Sequence, residues 1–240
     1  MQVIKLVTFD ATNTLLKFLL PPWKYYALVA EAYGYKGTPD EIKGPLKDSI
    51  KYMSNKHPNF GNSSIFWEEW WRRVIKLTFK DKLPEPSNIE IITNELIELF
   101  RTTQCWGIAH GAHNILRNLR ADGKYVGVIS NFDPRLHDVL HNLQIYDKLD
   151  FVITSYEIGI SKPDKQIFET ALLKCNRRVK PIESLHIGDD FKNDYEGARA
   201  AGWYALLVGE GEYETPPAPN HVFNNLVDLS LVIEKNMLKL

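Results

Sequence analysis

The 240-residue chain carries 29 Lys and Arg against 30 Asp and Glu, and its net charge of −1 supplies no general attraction to nucleic acid or to an anionic membrane. Its length suits one large domain or a core with an inserted module, and no apolar run approaches a membrane span. Two cysteines, Cys105 and Cys175, are too few for a disulfide framework, and the first residues are too interrupted by charge for a signal peptide, so a soluble, intracellular and most simply cytoplasmic chain is expected.

In chain order, residues 3–9 form a short apolar run rich in β-formers that stops at a carboxylate, Asp10, and a hydroxyl-rich turn. That pattern predicts a buried strand with Asp10 at its C-terminal tip. A long helical stretch follows. Helices are expected over residues 23–33, from the cap-like Thr38-Pro39-Asp40-Glu41 onward, over residues 66–79, and from the capping pattern Ser87-Asn88-Ile89-Glu90. Ile42, Leu46, Ile50 and Met53 keep helical spacing in the second, and Ile92, Leu96 and Leu99 in the fourth. Beyond Ala112 helix and strand signals alternate: a helix to Ala121, a strand over 125–129 ending at Ser130-Asn131, a helix after Pro134, a strand over 151–154, a helix from Lys165, and strands over 184–187 and 204–208. The Pro-rich Thr215-Pro216-Pro217-Ala218-Pro219 reads as a surface loop. Alternation of this kind predicts an α/β fold with a parallel, doubly wound sheet, whose active site lies beyond the carboxyl ends of its strands.

Chemistry-bearing residues stand at those ends in the order carboxylate, hydroxyl, lysine, carboxylates. A phosphoryl group carries its charge on peripheral oxygens, so a carboxylate nucleophile needs a cation between itself and the phosphate. Mg²⁺, which prefers oxygen ligands, suits that place. Asp10 is expected as nucleophile and metal ligand, Asp189 as a second ligand and Asp194 as a supporting carboxylate of the metal site. Ser130 and Asn131 would donate to phosphate oxygens, and Lys162 would offset the clustered negative charge.

The four segments Asp10-Ala11-Thr12-Asn13-Thr14-Leu15, Val128-Ile129-Ser130-Asn131, Ser161-Lys162-Pro163-Asp164 and Gly188-Asp189-Asp190-Phe191-Lys192-Asn193-Asp194 together resemble the haloacid dehalogenase superfamily over nearly the whole chain, most nearly a eukaryotic branch of it. The resemblance implies a Rossmann-like core formed by residues 1–16 and 108–240 and a helical cap of the first type formed by residues 17–107. It implies that Asp10, Ser130 and Lys162 are catalytic. Thr14, Ser130, Asn131 and Lys162 would bind substrate, and the backbone carbonyl of Thr12 would join Asp10, Asp189 and Asp194 around Mg²⁺. A small phosphorylated molecule is the expected partner, with neither nucleic acid nor membrane; no oligomeric state is implied.

Thr12 departs from the family pattern. Most phosphatases of the superfamily carry a second Asp there, which protonates the leaving oxygen and later activates water, help worth about 10² to 10⁴ in rate. A threonine hydroxyl orients but neither gives nor takes a proton near neutral pH. Three readings follow: a phosphohydrolase or phosphotransferase that is slow on ordinary esters and favours leaving groups that need no proton; a scaffold that binds metal or phosphate without turnover; and a 2-haloacid dehalogenase. The last is disfavoured because the superfamily's dehalogenases work without a metal and lose the acidic residues kept here as Asp189, Asp190 and Asp194.

Other features read as structural. Asn13, at the family's usual glycine, tolerates the left-handed backbone. Trp67, Trp70, Trp71 and Val74 share one helix face and are expected in packing, with an aromatic wall over the substrate as the sharper alternative. His110 and His113 lack the partners of a metal site. Arg72-Arg73 and Arg177-Arg178 read as solvated faces, and Asp190 as a helix cap.

Overall fold

The structure, a computed structural model, describes residues 4–84, 88–209, 217–235, 237–238 and 240. Ser87, Thr215 and Pro216, and with them parts of the expected capping pattern and Pro-rich loop, lie outside the described residues, as does Val3 of the expected first strand.

The first strand, β1 (Leu6–Phe9), is buried at every position and delivers Asp10 at its end. A short β2 (Leu16–Phe18) leads into four helices: α1 (Pro22–Glu31), α2 (Asp40–Lys56), α3 (Trp67–Thr78) and α4 (Ile89–Leu99). The chain returns through β3 (Trp106–Ile108) to α5 (Ala112–Ala121), β4 (Tyr125–Ser130), α6 (Arg135–Asn142), β5 (Phe151–Thr154) and the single turn α7 (Ser155–Ile158). Then come α8 (Lys165–Leu173), β6 (Ser184–Gly188), α9 (Gly197–Ala200), β7 (Tyr204–Val208), β8 (Val222–Phe223) and α10 (Leu226–Glu234). No helix is long and apolar enough to cross a membrane, among the described residues.

Six strands form one sheet in the order β5-β4-β1-β6-β7-β8, parallel at each pairing. Strands with both faces covered have no wet side, which is why β1, β4 and β6 read as nearly continuous apolar runs. Two hydrophobic clusters cover the faces: Val7, Phe9, Val128 and Ile187 pack with α5, α6 and α10 on one, and Leu6, Ile129 and Leu207 with α8 and α9 on the other. The register aligns Phe9 with both Val128 and Ile187, so the ends of β1, β4 and β6 open into one crevice. The order runs outward from β1 to β4 and β5 and then reverses to β6, and such reversals are where open α/β sheets bind ligands.

The helices α1 to α4 bury a separate cluster containing Ile42, Leu46, Met53, Trp70, Val74, Ile92 and Leu96. The helix starts differ in detail from the sequence expectation. Glu41 does reach back to the Thr38 N–H (3.0 Å), but the Thr38 hydroxyl donates to the same carboxylate instead of capping the helix. In α4 the cap is Asn88, whose side chain accepts from the Ile91 N–H.

The pair β2 and β3 was not expected. Leu16 pairs with Ile108 and Phe18 with Trp106, antiparallel, and the Phe18 and Trp106 rings stack at 3.9 Å. Three-residue strands separated by almost ninety positions leave no periodic signal. Their pairing ties the two crossings into and out of the helical layer together. Both cysteines are free, with Cys105 fully buried.

Candidate active site

Asp10 leaves β1 with its backbone N–H bonded to the Ile187 carbonyl of β6 (2.8 Å), so its side chain projects from the centre of the crevice. The turn that follows is tight: Thr14 and Leu16 both donate to the Ala11 carbonyl, and Asn13 sits at φ +59°, the left-handed conformation its short amide tolerates. The turn returns Thr14, 1% exposed, toward Asp189, and its hydroxyl points at Asp189 Oδ1 from 3.5 Å, the outer limit of a hydrogen bond.

Lys162 arrives from the loop before α8 and is buried. Its ammonium donates to Asp10 Oδ1 (2.7 Å), Asp194 Oδ1 (2.6 Å) and the Ile129 carbonyl (2.8 Å), which uses all three of its protons. Burial alone would lower its pKa, but the charges of Asp10 and Asp194 outweigh that and raise it. Asn131 braces this loop. Its amide accepts from the Lys162 N–H (2.8 Å) and donates to the Lys162 carbonyl (2.9 Å), so this side chain holds the lysine loop in place.

Asp194 lies behind Asp10 in the helical turn after β6. Besides Lys162 it accepts from the Asp190 N–H at Oδ2 (2.9 Å) and bonds His186 Nε2 at Oδ1 (3.1 Å). Burial would raise its pKa, yet Lys162 and His186 hold it below the usual carboxylate range. The close approach of this carboxylate needs a glycine in the strand: a Cβ on Gly188 would fall 2.1 Å from the Asp194 carboxyl carbon. Asp190 caps the turn by accepting from the Asn193 N–H (2.7 Å), as its sequence context predicts.

His186 is a site residue that sequence reasoning did not single out. It is fully buried inside β6, and its pKa is lowered by burial. Since a carboxylate only accepts, the neutral ring carries its proton on Nε2 toward Asp194, and Nδ1 accepts from the Thr8 hydroxyl at 2.8 Å. The available signal was a lone polar ring in the apolar run Ser184-Leu185-His186-Ile187, two residues before Gly188.

Asp10, Asp189 and Asp194 can each offer an oxygen within 4.8 Å of the others, the one such cluster among the described residues. Burial, with Asp194 and Asp189 nearby, pushes Asp10 up to about 6, and burial with the Asp194 charge raises Asp189 as well. One lysine faces three carboxylates, leaving two negative charges for something else to balance. Hard oxygen donors with that charge deficit fit a divalent cation such as Mg²⁺. Ser130 is buried at the tip of β4. By contrast His110 and His113 are exposed, and Arg72, Arg73 and Lys76 pair with surface glutamates.

On the helical side of the crevice the tryptophans divide. Trp67 and Trp70 pack in the helical cluster, whereas Trp71 lines an apolar cavity of about 270 Å³ between the two layers and donates its indole N–H to Asp133 Oδ2 (2.8 Å). Asp133 also holds Arg135 bidentately, at 2.9 and 2.7 Å, and the guanidinium lies over the rings of Trp67 and Trp71. Nothing in the sequence periodicity marked this pair. The signal was two charges in Phe132-Asp133-Pro134-Arg135, just past a strand tip where solvent exposure is the default expectation.

Comparison with known proteins places this geometry. A family model described as hydrolase, haloacid dehalogenase-like hydrolase, matches residues 4–202. The rhythmically expressed gene 2 protein of Drosophila melanogaster is 39% identical over 220 residues, covering 87% of this chain and 84% of that protein. Mouse haloacid dehalogenase-like hydrolase domain-containing protein 3 is 32% identical over 211 residues, 87% of this chain and 83% of its own. Among solved structures, a 2-haloacid dehalogenase from Pseudomonas syringae superposes with a TM-score of 0.69 over 97% of this chain and 99% of its own, at 23% identity.

Proposed function

We propose, from the premise that the chain belongs to the haloacid dehalogenase-like hydrolase family, that it is a Mg²⁺-dependent phosphohydrolase or phosphotransferase working through a phosphoaspartate at Asp10. The observation that carries this reading is the cluster of Asp10, Asp189 and Asp194 around a single lysine, a charge deficit that a cation-dependent reaction needs and that a metal-free displacement at carbon does not. The likeness to a dehalogenase structure speaks for the fold alone.

Lys162 holds Oδ1 of Asp10, which leaves Oδ2 as the atom aimed at phosphorus. Asp10, Asp189, Asp194 and the Thr12 carbonyl would hold Mg²⁺, with Asp194 contributing its charge while it anchors Lys162. When bound, the cation neutralises the carboxylates and the phosphate oxygens, so that two anions can approach. The hydroxyls of Ser130 and Thr14 would orient those oxygens, and Lys162 would stabilise the charge shared between Asp10 and the transferred group. Asn131 keeps the lysine in register. The helical layer of residues 17–107 acts as a cap that keeps bulk water from the crevice.

Thr12 divides the reaction. Transfer to Asp10 proceeds whenever the leaving oxygen departs as an anion, but hydrolysis of the acyl phosphate lacks the base that would activate water. Acetyl phosphate is therefore the better substrate and p-nitrophenyl phosphate the poorer.

The test is turnover of both compounds with and without Mg²⁺, together with acid-quenched capture of radiolabelled phosphate on the protein. Wild type should turn over acetyl phosphate only with metal and trap label, and Asp10→Asn should lose at least about 10⁴-fold in rate and all label. Full activity in Asp10→Asn would remove the nucleophile from the reading. Absence of both turnover and label in wild type would leave a binding scaffold.

A further inference from the structure

The cavity between the layers is lined by Thr12 and Asn131 at the strand ends and, for most of the rest, by residues of the helical layer. Residue 12 is the position from which an acid would reach the leaving oxygen, so this is the space into which a leaving group projects. Its walls are carbon. Phe18, Tyr26, Phe60, Trp71, Phe100 and Trp106 supply the aromatic side, and aliphatic residues of α2, α3 and α4 supply most of the rest. Tyr26 is buried, which raises its pKa and keeps the phenol neutral. Among the described residues Asp133 and Arg135 are the only charged ones on the lining, and each is bound to the other: Asp133 is 1% exposed and Arg135 5%. No unspent cation awaits a second anionic group there. The Trp71 indole, tied to Asp133, sets the position of one wall before any ligand arrives.

We infer that the substrate is an apolar acyl phosphate, its phosphate at Asp10 and its uncharged hydrocarbon body, of roughly ten carbon atoms, in this cavity; the volume follows from the benzene-sized capacity of cavities of about 150 Å³. The inference rests on the phosphotransfer reading above and adds the leaving group to it. A nucleotide or sugar phosphate is excluded by the carbon walls, since its polar groups would lose water without gaining partners. An acyl oxygen is favoured over a phenolic one because Thr12 supplies no proton: a carboxylate, with a pKa near about 4, departs as the anion, whereas a phenol ionises only near about 10. In the step itself a carboxylate oxygen of Asp10 forms a bond to phosphorus. The bond from phosphorus to the acyl oxygen breaks with its electron pair on that oxygen, the acid leaves as carboxylate, and no proton moves. Water then returns Asp10 and releases inorganic phosphate, one water proton remaining on the phosphate and the other passing to solvent.

Benzoyl phosphate and acetyl phosphate differ in the body and hardly in the leaving oxygen. With Mg²⁺ present, kcat/KM for benzoyl phosphate should exceed that for acetyl phosphate roughly ten- to hundredfold, the fold-change expected for burying a phenyl ring instead of a methyl group. Benzylphosphonate, which cannot be cleaved, should bind more tightly than methylphosphonate by a similar factor in calorimetry. Ile50, on α2 and lining the cavity, is the place to fill it: Ile50→Trp should bring both ratios toward one. Equal ratios in wild type, or ratios unchanged in a folded Ile50→Trp, overturn the inference while leaving phosphotransfer intact. No turnover of either acyl phosphate, with the benzylphosphonate preference still present and lost in Ile50→Trp, would sink the phosphotransfer reading and keep the apolar cavity as a ligand site. If Ile50→Trp does not fold, the two wild-type ratios decide alone.

Discussion

On the sheet side of the crevice, Asp10, Lys162, Asp194 and His186 are joined by hydrogen bonds of 2.6 to 3.1 Å, and each leans on the charge or proton of the next. Around the cavity across the crevice, seven aromatic residues and several aliphatic chains present carbon, and the one ion pair among the described lining residues, Asp133 with Arg135 at the start of α6, is turned inward on itself. The two walls therefore tolerate change differently. A buried charge network has little slack, because removing one member leaves another desolvated and unpaired. A carbon wall accepts many substitutions of similar volume and responds to size and shape. On the proposed reading, chemistry falls to the rigid polar wall and selection to the apolar one.

Four experiments break or sharpen that contrast. Thr12 stands where the walls meet, and Thr12→Asp should restore an acid and base there. Turnover of p-nitrophenyl phosphate should rise about 10² to 10⁴-fold in a steady-state assay. No gain would mean that the carboxylate at position 12 cannot reach the leaving oxygen.

Within the polar wall, Lys162→Met removes the charge between two buried carboxylates and should cost about 3–5 kcal/mol in urea unfolding at pH 8. The loss should shrink at pH 5, where Asp10 takes a proton. A cost below 1 kcal/mol, about a surface pair's worth, would show that the network is wetter than its burial implies.

The pH dependence of metal binding follows from the raised Asp10. Its carboxyl titrates near about 6 in the folded chain against an ordinary 3.8, so the folded state takes up this proton at higher pH than the unfolded state. Without metal, its contribution to stability declines as pH rises from about 4 to about 6 and is flat above. Mg²⁺ must displace that proton. Affinity, followed by calorimetry from pH 8 to pH 5, should be level above about 7 and fall toward tenfold per unit below about 6. Constant affinity through that range would take Asp10 out of the metal site.

On the apolar wall, Trp71→Phe keeps an aromatic ring, though a smaller one, and deletes the bond to Asp133, which retains Arg135. The expected loss is about 1 kcal/mol in thermal or urea unfolding. A loss of 3 kcal/mol or more would make the Asp133 pair part of a coupled network like the one across the crevice.

Much of the sheet and the residues at its strand ends could be read from the chain because each rests on a local pattern. A strand buried on both faces must be apolar throughout, so residues 4–9, 125–130 and 204–208 announce themselves, and Asp10 and Ser130, which end the first two runs, have nowhere to be but the crevice. Lys162 and Asp194 were recognisable only through the order of motifs. The bonds of Asn131 to the Lys162 backbone were not legible, because a polar side chain at a strand tip looks the same whether it faces ligand or backbone. His186 and the Asp133–Arg135 pair were passed over for the opposite reason: one looks like an interruption of a strand, the other like ordinary surface charge.

By itself, the sequence determined the α/β alternation, the helical insertion, the aspartate at the end of the first strand and the absence of an acid at Thr12, since all of these depend on residue identity and near-neighbour spacing. Tertiary structure alone decided which carboxylates share a lysine, that His186 supports Asp194 from below, that β2 and β3 pair across the insertion, and that Trp71 faces a cavity while Trp70 does not. Those outcomes depend on contacts between residues distant in sequence, where no period or motif constrains which side chains meet. The proposed leaving group rests on both classes of information: Thr12 argues for departure without a proton, and the cavity beside Thr12 argues for a hydrocarbon body.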